Sequence, residues 1–78
     1  MKTWNEFDEK YREVIGEIAK SNPVGGNQET DLGNARRMLT YMAEHPDGER
    51  YNGVPEDFDW QECREDIAAI MAAEKESR

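Results

Sequence analysis

The sequence is short of the residues that usually build a core. Leu, Ile, Val and Phe together number 11 in 78 residues, and the net charge is −8. That pairing is typical of chains that stay unfolded, and it excludes a two-domain enzyme or a thick aliphatic core. Cysteine is confined to Cys63, so no internal disulfide can form and nothing favours an oxidising compartment. Bases are scarce, with 10 Lys and Arg against 18 Asp and Glu. Direct binding to nucleic acid needs a basic face that displaces counterions, so it is not expected. The longest apolar run is 67–73, too short to span a bilayer. Behind Lys2 no apolar stretch follows, so no signal peptide is read. The expectation is a cytoplasmic protein with no membrane contact.

What the chain does have is helical periodicity, three times over. Trp4, Phe7, Tyr11, Val14 and Ile15, with Ile18 a turn later, form the first stripe. Leu32, Ala35, Leu39, Met42 and Ala43 form the second, and Trp60, Cys63, Ile67, Ile70 and Met71 the third. At about 100° per residue each set falls on one face of an amphipathic helix. A capping residue precedes each stripe: Thr3, Asp31 and Asp59. Glu6 and Glu62 stand at cap-box spacing from the first and last of these, and Phe58 is placed to staple onto Cys63. Asn22-Pro23 and His45-Pro46 supply the stops, because a residue before proline avoids helical geometry.

These signals predict an all-α, small three-helix bundle with helices near 4–20, 32–45 and 60–75, in a single domain over 1–78. Two connections of roughly a dozen residues join the helices, longer than usual for a bundle. In the second, Tyr51 and Val54 are candidates for a short extended piece or for pinning the loop over the bundle. The stripes recur at a regular interval, but few residues match beyond Trp4/Trp60, Glu6/Glu62 and Glu9/Glu65, so no repeat is read. The core is thin: Trp4, Phe7, Tyr11 and Trp60 supply much of its area, and Met38, Met42 and Met71 fill gaps. A stability of about 4 kcal/mol suits such a chain.

Charge is unevenly distributed. Residues 44–66 hold nine acids, Glu44, Asp47, Glu49, Glu56, Asp57, Asp59, Glu62, Glu65 and Asp66, opposed only by Arg50 and Arg64. The plainest role for such a run is a solvated surface. Asp59 and Glu62 also favour the positive end of the third helix's dipole. The remaining carboxylates repel one another and would welcome a cationic partner.

Metals are poor candidates for that partner. Asp57-x-Asp59 opens like a calcium loop, but Glu62 stands where glycine is needed and Ala68 where the closing glutamate belongs. One Cys and one His cannot make a zinc site. Catalysis has equally little to work with. His45 precedes a proline with no nucleophile in view, and Cys63 lies on a core stripe as a buried, inert thiol. No enzyme activity, cofactor or metal is expected.

A basic protein surface suits the acidic run best. Carboxylates along a loop and helix can imitate the spaced charges of a nucleic-acid backbone and occupy a groove built for it. In size, charge and helicity the chain resembles the small acidic inhibitors that phages and mobile elements direct against host nucleic-acid enzymes, including anti-restriction and anti-CRISPR proteins. No motif carries that likeness. The expected surface comprises Glu44, Asp47, Glu49, Glu56, Asp57, Glu62, Glu65 and Asp66. The alternative is a helical adaptor or homo-oligomerisation module, including a homodimer, that uses an apolar surface on the second and third helices. Its candidate residues are Met38, Tyr41, Tyr51, Ala69 and Ala73.

Overall fold

The computed structural model describes residues 1–77, with Arg78 outside the described residues. It is all-helical, but the helices number four among those residues: α1 (Trp4–Lys10), α2 (Arg12–Ser21), α3 (Gln28–Glu44) and α4 (Trp60–Glu76). The expected first helix is thus divided at Tyr11, whose φ of −103° and ψ of 20° leave the helical region. Tyr11 nevertheless keeps both of its own ladder bonds across the break. Tyr11 N–H donates to Phe7 O and Ile15 N–H to Tyr11 O, both at 2.9 Å. The break is therefore a bend, and it directs one apolar stripe onto two partners, with α1 meeting α4 and α2 meeting α3.

α1 and α4 run antiparallel. Trp4 Nε1 donates to Glu74 at 3.3 Å at one end of the contact, and Lys10 Nζ reaches Asp66 at 2.7 Å at the other. Asp8 takes a two-pronged hydrogen bond from Arg36 of α3, 2.8 Å on each prong. The Arg36 guanidinium also lies 5.3 Å from the Trp4 ring. The core is filled by Phe7, Ile18, Leu39, Met42, Cys63 and Ile70, all essentially without solvent exposure. Buried Ala35 and Ala43 on α3 let neighbouring helices approach closely, which suits a chain with few large aliphatics.

Two starting points were read correctly. Thr3 accepts from Glu6 N at 3.2 Å and Asp59 from Glu62 N at 3.0 Å. Both proline-linked stops also hold, with Asn22 and His45 as the C-caps of α2 and α3. The start of α3 differs. Its N-cap is Asn27, which accepts from Thr30 N at 2.9 Å, while Asp31 instead accepts from Val24 N in the preceding loop at 3.3 Å. The first connection shrinks to residues 22–27, and the second covers 45–59. Two stripe positions expected in the core are exposed, Leu32 at 37% and Met71 at 55%. On α4 the buried line is Cys63, Ile67 and Ile70. Asp66 and Ala73 flank it on the side toward α1, which leaves Met71 on the opposite flank.

The 45–59 loop folds back over the bundle without forming a strand. Tyr51, Val54 and Phe58 pack half-buried against the core. Tyr51 N–H points at Met42 Sδ, 3.2 Å away, and Asn22 Nδ2 donates to Asn52 O at 3.0 Å. Phe58 stands against the rings of Tyr11 and Trp60, at centroid distances of 5.8 and 4.7 Å. Gly53 lies directly on the α2 backbone with φ of +113°.

Candidate protein-binding surface

The C-terminus of a helix leaves its last carbonyls without intrahelical partners. α3 has no basic residue in its own last turn, so those partners arrive from elsewhere. Arg50 of the loop donates to Met42 O at 3.0 Å and to Pro46 O at 2.7 Å. Arg64 of α4 donates to Ala43 O at 3.3 Å. Both guanidiniums also meet the negative end of the α3 dipole. Arg50 lies in addition 5.3 Å from the Trp60 ring.

This arrangement determines the electrostatics of segment 44–66. Its only two bases are bound to main-chain oxygens, so they neutralise none of its carboxylates directly. Among the described residues, Glu44, Asp47, Glu49, Glu56, Asp57 and Glu65 form no ion pair, and all six are exposed. Glu65 accepts a long hydrogen bond from Gln61 and Glu49 one from the Tyr51 hydroxyl, at 3.4 and 3.3 Å. Partial desolvation and the adjacent Glu49 charge push that tyrosine hydroxyl above its ordinary value.

Asp66 and Glu62 are placed differently from the other six. The Asp66 side chain is only 17% exposed and accepts from both Lys10 Nζ and the Tyr11 hydroxyl. Glu62, 55% exposed, shares Lys10 at 3.3 Å. Desolvation opposes ionisation of Asp66, but the hydrogen bonds from Lys10 and Tyr11 outweigh it and hold the carboxyl below its ordinary value. The hydrogen bond to Asp66 is in turn the main influence raising Lys10. Burial, then the Asp66 contact, pushes the Tyr11 hydroxyl far up. Asp66 thus holds the α1–α2 bend against α4.

A depressed carboxylate gives stability that is complete above its unfolded value and lost as pH falls through the folded one. The acid limb of the stability curve is therefore expected to include an Asp66 step below the ordinary aspartate value of 3.8. Urea midpoints measured between about pH 2 and pH 7 should show a shallower acid limb in Asp66→Asn, with the main loss already present at neutral pH. Parallel curves for the two proteins would remove this role.

The apolar candidates are dispersed. Met38 and Tyr51 pack half-buried on the core, and Ala69 is half-buried on α4. Ala73, also half-buried, shares a surface depression with Trp4 and Ile70 beside the α1–α4 contact. Tyr41 alone of the five is exposed, at 39%, and its ring stacks on His45 with centroids 4.3 Å apart. Cys63 is fully buried, as its place on the core stripe predicts, and burial pushes its thiol up to about 12. Among the described residues no cluster of three His, Cys, Asp or Glu side chains is placed to hold a metal, and no helix is long and apolar enough to cross a membrane.

Three features of this region escaped the sequence reading. Lys10 is a hub for α4 carboxylates although it lies far from them in the chain. Arg50 and Arg64 serve carbonyls instead of acids. Tyr41 stacks on His45 instead of standing alone as an apolar surface residue. Only the last had a local signal, the spacing of four residues between Tyr41 and His45 across the end of α3. Searches among protein families, curated proteins and solved structures return no match to this chain.

Proposed function

We propose that the protein binds a cationic protein surface through the carboxylates of segment 44–65, and that this surface is one built to hold nucleic acid. The chain then acts as an inhibitor of a nucleic-acid enzyme, in the manner of the anti-restriction and anti-CRISPR proteins it resembles in size and charge. One observation carries the reading. The segment's two arginines are engaged by main-chain carbonyls at and just beyond the end of α3, which leaves six exposed carboxylates without a cation of their own. Such a surface attracts a basic partner over distance and loses that attraction in salt. The adaptor reading has less behind it, because four of its five residues are already half-buried in the chain's own packing.

Capture of partners from cells of the native host, at low and high salt, tests the proposal. A nucleic-acid enzyme should be retained at low salt and released by salt or by duplex DNA. The variant carrying Glu56→Lys, Asp57→Lys and Glu65→Lys should bind that enzyme about 100-fold more weakly, with its thermal melt little changed. Asp66 is left intact in this variant because it ties α4 to the α1–α2 bend. Retention that ignores salt, DNA and the triple charge reversal would overturn the reading.

A further inference from the structure

We infer that the stacked Tyr41–His45 pair is a seat for a guanidinium group, so that the acidic surface prefers arginine over lysine on its partner. The inference rests on the proposed function and refines it. Tyr41 and His45 lie one turn apart at the end of α3, their rings 4.3 Å apart at an interplanar angle of 19°. His45 Nδ1 is 3.0 Å from Tyr41 O. A carbonyl can only accept, so Nδ1 donates, which fixes the ring, and Nε2 makes no hydrogen bond among the described residues. Behind the pair, Gly48 N–H donates to His45 O at 2.9 Å and closes the Pro46–Asp47 turn. A Cβ at Gly48 would come within 2.9 Å of the Tyr41 hydroxyl and 3.0 Å of His45 Cβ. The turn is thus pressed against the rings, which form a braced yet exposed platform.

Charge complementarity identifies the occupant. Glu44 and Asp47, which bracket His45 in the chain, are exposed and form no ion pair among the described residues. Three other rings already carry one of the chain's own cations. Arg36 lies over Trp4, Lys10 over Tyr11 and Arg50 over Trp60. Among the described residues no such cation lies over Tyr41 or His45. A planar guanidinium can lie flat on an aromatic face while its in-plane N–H groups reach carboxylates. An ammonium is a compact, strongly hydrated point charge with no plane to lay on the ring, so its contact there is the weaker of the two.

The test titrates the intact protein with octa-arginine and octa-lysine peptides, which carry equal charge, and follows Tyr41 and His45 ring signals by NMR at two salt concentrations. Octa-arginine is expected to bind about fivefold or more tightly than octa-lysine and to shift both rings. Tyr41→Leu should bring the arginine peptide down to the lysine level and leave the lysine peptide unchanged, and His45→Ala gives the same readout should Tyr41→Leu fail to fold. Equal, salt-sensitive binding of the two peptides would overturn the guanidinium seat and leave the acidic-surface reading standing. A preference for arginine that survives both substitutions would also overturn the seat. Binding of neither peptide would remove the seat and the acidic-surface reading together.

Discussion

Gly53→Ala is expected to lower the folding stability by about 2–4 kcal/mol, although it adds a single methyl group on a surface loop. Two independent conditions make this site intolerant. The backbone φ of +113° is one that side-chain-bearing residues rarely adopt. The new Cβ would also lie 2.8 Å from the Glu17 carbonyl carbon and oxygen and from Ile18 Cα. Those atoms belong to a helix backbone and cannot swing aside, so the loop must lift. Lifting it would pull Tyr51, Val54 and Phe58 from their packing on the core. The same substitution at Gly16 is a control of opposite sign. A Cβ there meets nothing within 4 Å, and a mid-helix alanine should stabilise α2 by about 0.5–1 kcal/mol. Urea midpoints of the two variants should move in opposite directions. A Gly53→Ala midpoint equal to the parent's would show that the loop is not held against α2.

Phe7→Ala should have the largest effect of any single substitution. Phe7 has no solvent exposure and touches the rings on both sides, with centroids 5.3 Å from Trp4 and 4.6 Å from Tyr11. Removing such a side chain costs about 3–5 kcal/mol, comparable with the whole stability of about 4 kcal/mol expected at this length. The variant should be largely unfolded at room temperature, with near-UV dichroism lost. Phe7→Leu, which retains most of the volume, should melt cooperatively at a lower temperature. A Phe7→Ala melt within a few degrees of the parent's would mean that the aromatic row is not the main support of the α1–α4 contact.

The helices were legible where periodicity and capping chemistry agreed, as at Thr3, Asp59 and the two residues before prolines. The bend at Tyr11 was not, because Trp4 through Ile18 fit one uninterrupted stripe. Its cause is tertiary: Lys10 and Tyr11 are anchored on Asp66, which lies 55 residues beyond Tyr11, a distance no local pattern reports. At α3 the stripe beginning at Leu32 directed attention to Asp31, while the true cap at Asn27 sat before a polar turn with no apolar residue to mark it. The acidic run was visible as composition. Which of its members are free was not, because the partners of Asp66 and of Arg64 come from other helices. Asp66 was grouped with residues whose circumstances it does not share.

The attachment of Arg50 and Arg64 to the end of α3 separates two properties that acidic proteins usually bind together. Each of the six free carboxylates can be exchanged without breaking an intramolecular ion pair, so the fold itself places little constraint on these positions. In evolutionary terms these positions can drift quickly, while the arginines, Asp66 and Gly53 stay under constraint from the fold. Variation among descendants of this chain should therefore concentrate at 44, 47, 49, 56, 57 and 65.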